Sequence, residues 1–591
     1  MSQSGSSQSS SSNSTAPVPY SREGILAAVR AESRERADAL LEWLQASDNL
    51  HRRLIVGSKY SLGQHQSTPI LKLHDDLLLR VFMLNADLLP VEVTDLDDDC
   101  GERDALNVTR GTSQVCKQWR ELTINSPSLW GRCVDLKRLN QQEPHWRNEV
   151  MRRTGASFLH VRGSIVSLQL GIFFLDLLDT SWERIRALEV SLERFDAIIT
   201  DPRWAVLQRP APALQIFSLS LDSVVPNILP TPEAPIFGGH ASLAKLVLSG
   251  CAGVLFKIPS SQFFQIRHLA IYGSFTIPEL FKALSNMSRL EYLQVHQNPR
   301  TDTTPLTLPH IIFPRLLRLS LNSTLDSCLT MLEHMTVAPG SGLILYCPDE
   351  GGIQIENSTD RLSTVLCPYT QSFFDSHIVS KLSMKLTKDN FLFDCDADSS
   401  ISRSPPRLFF STESGPRRRL HPRIYDAIFA VFSSCQSIDV SDLFISLSPC
   451  DYTPASAGSM SFISSFSSVE TLSTTAEFLD ILLAKSNDKC LFLPLLKTVK
   501  YMSNTRDTTA LDTIKNFLLQ RQEAGVPVQL LIIEISRPPS VEARQLFEMF
   551  SGLRVIWVTF GRWSRRTWDQ KDAEFYARLT RKVSNIKPFE F

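Results

Sequence analysis

The sequence lacks the features that mark several large classes of protein. Its 11 cysteines stand singly, with no C-x-x-C pair, which argues against a zinc knuckle or a dithiol redox motif. It has no excess of charge, since 61 Lys and Arg against 62 Asp and Glu give a net charge of -1, so we expect no nucleic-acid partner. Apolar runs such as LQLGIFFLDLL and PVQLLIIEI are shorter than the roughly 18 residues of a membrane span, so we expect no membrane insertion.

The sequence also lacks the short motifs of common enzymes. It contains no G-x-S-x-G, G-x-x-x-x-G-K-[ST], G-x-G-x-x-G or H-E-x-x-H, and its 12 histidines are dispersed. We therefore expect no catalytic residues, no bound metal and no cofactor. The opening MSQSGSSQSSSSNSTAPVP lacks the basic start and apolar segment of a secretory signal, so we expect an intracellular protein of the cytoplasm or nucleus.

Length and composition predict several parts. A chain of 591 residues with 43% apolar content exceeds the roughly 250 to 300 residues at which single cores stop growing. Residues 1–20 are Ser-rich and predict a disordered tail. Residues 21–60 carry apolar side chains at helical spacing and predict an amphipathic helix, with a short coiled-coil seam as the alternative. We interpret residues 61–140 as a helical module and residues 150–591 as a long repetitive domain.

The helical module contains three connected signals. PILKLHDDLLLRVFMLNADLL, residues 69–89, has helical apolar spacing and opens with two acidic residues that favour a helix start. The acidic DLDDDCGERD that follows imitates a calcium loop, but Gly101 comes one place late and Leu106 stands where the final glutamate belongs, which favours a solvated loop. VCKQWREL then predicts a second helix, which Ser126-Pro127 ends before Leu129-Trp130.

Taken together, L-x-x-D-L-L-L-x-V-F, V-C-K-x-W-R-x-L and S-P-S-L-W resemble the F-box module of fungal proteins, especially those of mushroom-forming fungi, over about residues 69–136. The family usually begins Leu-Pro, where this chain has Leu73-His74. The resemblance implies about three helices that dock on a Skp-type adaptor of a cullin-RING ubiquitin ligase. It implies that the adaptor contacts come from Leu73, Leu77, Leu78, Phe82, Val115, Cys116 and Trp119. For Trp119 a purely core role is the alternative.

A short apolar phrase repeats beyond residue 150. It occurs as IVSLQL, IRALEV, LQIFSL, LAKLVL, IRHLAI, LEYLQV and LLRLSL, at steps of 20 to 29 residues, which lie in the range of leucine-rich repeats. The pattern blurs from about 330 to 425 and returns as CQSIDV, VETLST, LKTVKY, LLIIEI and LRVIWV. Only Cys251 and Asn298 occupy the ninth position, where such repeats carry Asn or Cys. The fold class we predict is α/β, an N-terminal helical F-box bundle followed by an irregular leucine-rich-repeat-like solenoid of strand-helix units.

Because successive side chains of a strand point to opposite faces of the sheet, the alternation of apolar and other residues predicts one buried face and one face outside the core. Leu246, Leu248, Leu269, Ile271, Leu293 and Val295 should enter a continuous core. The residues between them should form a concave recognition surface, with His268, Tyr292 and Arg318 in one row and Tyr272, His296 and Asn322 in a second. The candidate substrate-binding residues are Lys245, His268, Tyr272, Tyr292, His296, Arg318 and Asn322. The alternative is a plain solvated sheet face.

These features favour an adaptor over an enzyme. The predicted partners are a Skp-type adaptor with the cullin-RING ligase core and a substrate protein held by the repeat domain. The alternative is a repeat-type interaction scaffold that keeps the F-box-like bundle only as a capping element and recruits no ligase. Adaptor binding by residues 60–140 distinguishes the two.

Overall fold

The computed structural model describes residues 70, 73–87, 105–140, 144–192, 196–221, 235–239, 241–258, 260–297, 308–349, 355–387, 389–397, 406–414, 422–433, 439–447, 457–485, 492–502, 509–535 and 541–559. The predicted tail over 1–20, the predicted helix over 21–60, the acidic loop and Asn298 lie outside these residues. The chain divides into two compact units. Met1–His74 with Ser400–Ser402 form the first, of which Ile70, Leu73 and His74 are described. Asp75–Ser399 with Arg403–Phe591 form the second, which holds every element below.

The helices of the second unit are distributed along its whole described length. They are α1 Asp75–Asp87, α2 Ala105–Thr112, α3 Lys117–Ile124, α4 Pro127–Trp130, α5 Leu136–Leu139, α6 His145–Thr154, α7 Leu168–Ser181, α8 Asp196–Ile199, α9 Ser260–Phe263, α10 Ile277–Leu284, α11 Leu325–Glu333, α12 Ile355–Ser376, α13 Pro422–Ser433, α14 Ala457–Ser464, α15 Ala476–Lys485, α16 Thr509–Glu523 and α17 Val541–Gln545. Short 3₁₀ turns add Trp182–Arg184, Pro202–Gln208, Ile236–Gly239 and Ala252–Lys257.

The strands begin after α4 and alternate with helices or 3₁₀ turns over much of the unit. They are β1 Val134–Asp135, β2 Leu159–Ile165, β3 Ile185–Leu192, β4 Ile216–Leu221, β5 Lys245–Ser249, β6 His268–Gly273, β7 Tyr292–Gln297, β8 Ile311–Phe313, β9 Arg318–Asn322, β10 Met335–Val337, β11 Gly342–Asp349, β12 Lys381–Leu386, β13 Asn390–Asp396, β14 Arg407–Ser414, β15 Asp442–Leu447, β16 Thr471–Thr474, β17 Thr498–Met502, β18 Leu530–Ile535 and β19 Arg554–Thr559.

Local sequence signals account for the helices at the start of the unit. Asp75 and Asp76 occupy the first turn of α1, where their charge opposes the positive helix end. The backbone of Cys116 is extended at the position just before α3, so Val115 and Cys116 precede this helix. Pro127 sits in the first turn of α4, a position where its missing N–H costs no hydrogen bond. The predicted break at Ser126-Pro127 is confirmed.

One large, mostly parallel sheet organises the described part of the unit, and 17 strands belong to it. The strands β1 to β7, then β9 and β11, follow one another in chain order, each parallel to the last. Next come β14, β13 and β12 in reversed order, and β13 is antiparallel to both neighbours. From β12 the strands β15 to β19 again run parallel in chain order. The sheet confirms the α/β class.

The strand order reverses at β12 to β14, in the region where the repeat pattern of the sequence blurs. The helix α12, 22 residues long, carries the chain from β11 to β12, which lies two strands further along the sheet than β14. The chain then returns through β13 and β14 before α13 leads it to β15, the neighbour of β12. Because β14 pairs with β11 in parallel, both halves belong to one continuous sheet.

The predicted core positions are confirmed. Leu246, Leu248, Leu269 and Ile271 are fully buried, and so are Leu293 and Val295 of the next strand. One phrase was placed wrongly as a strand. IVSLQL contains the last residue of β2 and the start of α7, and the neighbouring segment LHVRGSI, which has its own period-2 pattern, forms the strand instead. Most of CQSIDV lies outside the described residues.

Gly342 of β11 tests how tightly the sheet is packed where the strand order reverses, and Gly111 of α2 provides a comparison. A Cβ on Gly342 would lie 2.9 Å from the backbone N and 3.0 Å from the backbone O of Arg407, whereas one on Gly111 meets nothing within 4 Å. We expect Gly342→Ala to lower the free energy of unfolding by about 1 to 3 kcal/mol, because strand β14 must move. In contrast, Gly111→Ala in α2 should raise it by about 0.5 to 1 kcal/mol. Chemical denaturation measures both; a neutral Gly342→Ala would contradict the close approach.

Candidate interaction surfaces

The first helices share a small apolar core. Leu78 and Phe82 of α1 are 0% and 2% exposed, and the Phe82 ring lies 4.8 Å from the half-buried Trp119 ring of α3, centroid to centroid. The Trp119 Nε1 has no hydrogen-bond acceptor among the described residues. Leu106 of α2 is also buried. These side chains hold α1 to α3 together.

The opposite side of α1 carries an exposed apolar stripe. Leu77, Val81 and Leu84 are 53%, 39% and 58% exposed, and their spacing of four and three residues puts them on one helix face. We call these three residues the α1 stripe. Clusters of exposed large apolar side chains are typical of surfaces that another chain covers.

Another exposed apolar side chain, Val115, lies near the start of α1. Val115 is 61% exposed in the turn before α3. The Gln118 Nε2 donates to the Asp75 Oδ1 at 3.1 Å, which places the first turn of α3 beside the first turn of α1. Val115 therefore lies near the amino end of the helix that carries the α1 stripe.

The structure separates the predicted adaptor-binding residues into two groups. Leu77 and Val115 are exposed, and Leu73, in the first unit, is also exposed. Leu78 and Phe82 are buried, while Cys116 and Trp119 are partly buried. Leu77 and Phe82, both predicted to contact the adaptor, do not share one helix face, because five helical residues rotate the side chain to a different side of α1. Adaptor contact remains a prediction for the exposed residues.

On the sheet, the polar residues align as predicted. Lys245 pairs in register with His268, His268 with Tyr292, and Tyr292 with Arg318. We call these four the first row. The His268 and Tyr292 rings stack at 5.5 Å with 28° between their planes, and the Lys245 Nζ lies 3.3 Å from the Glu189 Oε2.

The second row runs along the same face. Tyr272 pairs with His296, and His296 with Asn322, which in turn pairs with Tyr346 of β11. The Tyr272 and His296 ring centroids lie 5.9 Å apart. The Tyr346 hydroxyl donates to the Glu413 Oε2 at 3.1 Å. Burial raises the pKa of Tyr272, while a hydrogen bond with Gln294 opposes this change. The second row thus combines ring faces with directional polar groups.

Sequence reasoning missed the charged residues that continue the first row. Gly342 pairs with Arg318, and Arg407 of β14 lies directly beside Gly342. The Arg407 guanidinium makes two 2.7 Å hydrogen bonds to the carboxylate of Asp394 on β13. Burial raises the pKa of the neighbouring Asp396 carboxyl, and Arg407 acts against it. Period-2 alternation in NFLFDCD and RLFFSTES was the available signal for these strands.

The electrostatics of the first row keep its histidine neutral. Burial, together with the positive charges of Lys245 and Arg318, lowers the pKa of His268 to about 4. Near neutral pH the row therefore presents two cations around an uncharged ring pair. An arrangement of this kind can stack on a planar group and donate hydrogen bonds to an acidic one.

The sequence has no match in two comparisons with known proteins. No family model matches the chain, and no curated protein matches its sequence. Within the described ranges, no helix is both long enough and apolar enough to cross a membrane.

The pKa of His268 provides a direct test of the first row. We expect Lys245→Met and Arg318→Met each to raise it, while it stays below the ordinary 6.5 because burial is the largest cause. Since the folded-state pKa lies below the unfolded one, the stability that His268 contributes is present above about pH 6.5 and is lost as the pH falls towards 4. NMR titration of the imidazole measures the pKa, with Arg289→Met as a control at an exposed arginine that does not affect His268. A wild-type pKa near 6.5 would show that the ring is solvated.

Proposed function

We propose that this chain is the substrate-recognition subunit of a Skp-cullin-RING ubiquitin ligase. In this proposal α1 to α4 form an F-box that binds the Skp-type adaptor, and the large sheet with its helices is an irregular leucine-rich-repeat-like solenoid that binds a substrate protein. The observation that carries the proposal is the α1 stripe. The resemblance of the same segment to fungal F-box modules supports it independently of the structure.

The α1 stripe supports adaptor binding through its energetics. Three large apolar side chains stay in contact with water although other residues of the same helix are fully buried. Burying apolar surface is favourable by about 25 cal/mol per Å². A helix that offers anchors at positions i, i+4 and i+7 fits the general mode in which an amphipathic helix lies in a partner's groove.

The sheet supports the solenoid part of the proposal. From β4 to β9, residues paired across neighbouring strands lie 23 to 29 positions apart in sequence. From β4 to β7, each unit repeats a buried strand and a helical or 3₁₀ return, and α10 shows how the return begins. Thr276 and Glu279 form a reciprocal capping box there, and Leu280 and Leu284 enter the core.

The mechanism in this proposal is positioning. The bundle would attach the chain to the ligase, and the two rows would hold the substrate near the ubiquitin-charged enzyme. Tethering raises the effective concentration of a substrate lysine, which requires no reacting group from this chain. The proposed subunit is therefore an adaptor and not an enzyme.

The adaptor interface is tested by reversing the character of the α1 stripe. Leu77→Asp with Leu84→Asp should weaken binding of a purified Skp-type adaptor on the order of 100-fold or more, because interface anchors commonly contribute about 2 kcal/mol each. The fold should persist, since both side chains are exposed. Calorimetry with the full chain measures the affinity, and circular dichroism measures the fold.

Two further variants make this test specific. Leu168→Asp with Ile172→Asp changes another exposed apolar pair, on α7, and should leave adaptor binding intact. Phe82→Asp should disrupt the bundle itself, because it places a charge in the apolar core. Undiminished adaptor binding by the α1 variant would show that the adaptor contacts another surface, whereas no binding by the unmodified chain would favour the scaffold without ligase recruitment.

The substrate surface is tested on the two rows. Tyr292→Ala, His296→Ala and Arg318→Ala together should preserve the fold and adaptor binding, because these side chains lie outside the apolar core, but should remove co-purifying partners. Lys500→Ala with Arg554→Ala, on β17 and β19, provides a control elsewhere on the sheet. If the folded triple variant retains every partner, the substrate binds another surface.

A further inference from the structure

Glu534 of β18 lies on the face of the sheet that carries the two rows. Leu531 of the same strand is fully buried in the apolar core, so Glu534, three residues further on, points to the opposite face. Successive strand pairings connect Leu531 with Leu319 of β9, which stands three residues before Asn322 of the second row. Glu534 therefore has the same position on its strand as Asn322, in the other half of the sheet.

Apolar side chains surround Glu534 on this face. Met502 of β17 and Val558 of β19 pair with it in register, and Ile532 precedes it by two residues on its own strand. Met502 and Ile532 are buried although neither joins the apolar core of the described residues, and Val558 is half-buried. We call Met502, Ile532, Glu534 and Val558 the Glu534 patch. It differs from the two rows because its residues are apolar apart from one carboxyl group.

The carboxyl group of Glu534 is buried without a partner. Glu534 is 8% exposed, yet within the described part of the chain its carboxyl group accepts no hydrogen bond and makes no ion pair. Burial raises the pKa of Glu534 to about 7, and the positive charge of Lys500 on β17 opposes this rise without cancelling it. Buried polar side chains almost always have a hydrogen-bond partner, so Glu534 has an unmet requirement that a ligand can satisfy.

The direction of the side chain makes the carboxyl group the outermost part of the Glu534 patch. Side chains of a strand stand roughly perpendicular to the sheet. The carboxyl end of Glu534 therefore points away from the core, while its methylene groups lie between Met502 and Val558 on the two neighbouring strands. A molecule that lies on this face meets a negative group within an apolar rim.

The chemistry of the Glu534 patch identifies a class of ligand. A carboxylate within an apolar rim fits a ligand with one positive charge at the end of an apolar stem, and lysine and arginine side chains have this form. The stem would cover Met502 and Ile532, and the charged end would donate hydrogen bonds to Glu534. We propose that the Glu534 patch binds a lysine or arginine side chain of a peptide segment. The choice of a peptide rests on the proposed substrate-recognition function of this face.

NMR on the full chain with ¹³C-labelled methionine methyl groups tests the proposal, because the Met502 methyl group lies in the Glu534 patch. Met502→Leu identifies its signal. The probes are an acetylated, amidated Gly-Gly-Arg-Gly-Gly peptide and the same peptide with citrulline, in which a neutral group of similar shape replaces the guanidinium. We expect a saturable shift of the Met502 signal with the arginine peptide. The citrulline peptide should bind at least about tenfold more weakly, as for the loss of a charged hydrogen bond.

Two variants separate the Glu534 patch from general surface charge. Glu534→Gln keeps the size of the side chain and should weaken binding of the arginine peptide at least about tenfold. Glu523→Gln, at an exposed carboxyl group at the end of α16, should leave binding unchanged. Circular dichroism checks that both variants are folded.

The affinity for the arginine peptide should also depend on pH. It should rise about tenfold from pH 6 to pH 8, because only the ionised Glu534 carboxylate attracts the ligand and its pKa is about 7. The other charged side chains on this face of β17 and β19 are Lys500 and Arg554, whose residue types stay charged in this range. In Glu534→Gln the pH dependence should be lost.

Three results would overturn the proposal: no saturable shift of the Met502 signal, equal binding of the arginine and citrulline peptides, or equal losses in Glu534→Gln and Glu523→Gln. A Met502 signal that changes with protein concentration and not with the peptide would assign the Glu534 patch to contact between two copies of the chain, and would overturn the proposal as well. These measurements use neither the adaptor nor a co-purifying partner, so their failure is distinct from a failure of the proposed function.

Discussion

Parallel strands can pair only if the chain crosses back to the same end of the sheet after every strand, and most of this molecule follows from that requirement. Most crossovers in the described part of the sheet contain a helix or a 3₁₀ turn, and strands such as β4, β5 and β7 bury every second side chain on one face. The other face remains free for polar residues. Register then decides which polar groups meet, as the alignment of His268, Tyr292 and Arg318 shows.

The register of these rows was predictable because the repeated phrase marks the same strand position each time. The phrase IVSLQL failed as a strand for a physical reason. Three apolar positions at that spacing fit both a strand and the first turn of an amphipathic helix, and IVSLQL runs from a strand into α7. The direction of a strand leaves no trace in its alternation, so nothing in NFLFDCD indicated that β13 runs antiparallel.

The helical bundle shows a case where the sequence held more information than the prediction used. At about 100° per residue, Leu77 and Phe82 stand about 140° apart on α1. Helical geometry alone therefore separates the exposed Leu77 from the buried Phe82. What the sequence could not supply is which side faces water, because both sides of α1 are apolar. That distinction arises only when α3 brings Trp119 against Phe82.

The antiparallel strand also sets the charge of the polar face. Because β13 runs against β14, Asp394 stands opposite Phe409 and Asp396 opposite Arg407, so both carboxylates reach the face that carries the first row. A slip of one residue in β13 would turn both aspartates into the core and expose Phe393 and Cys395. The two hydrogen bonds from Arg407 to Asp394 and the burial of Phe393 therefore specify the same register. The reversal that hid this segment from sequence reasoning thus places acidic groups at the end of a basic row.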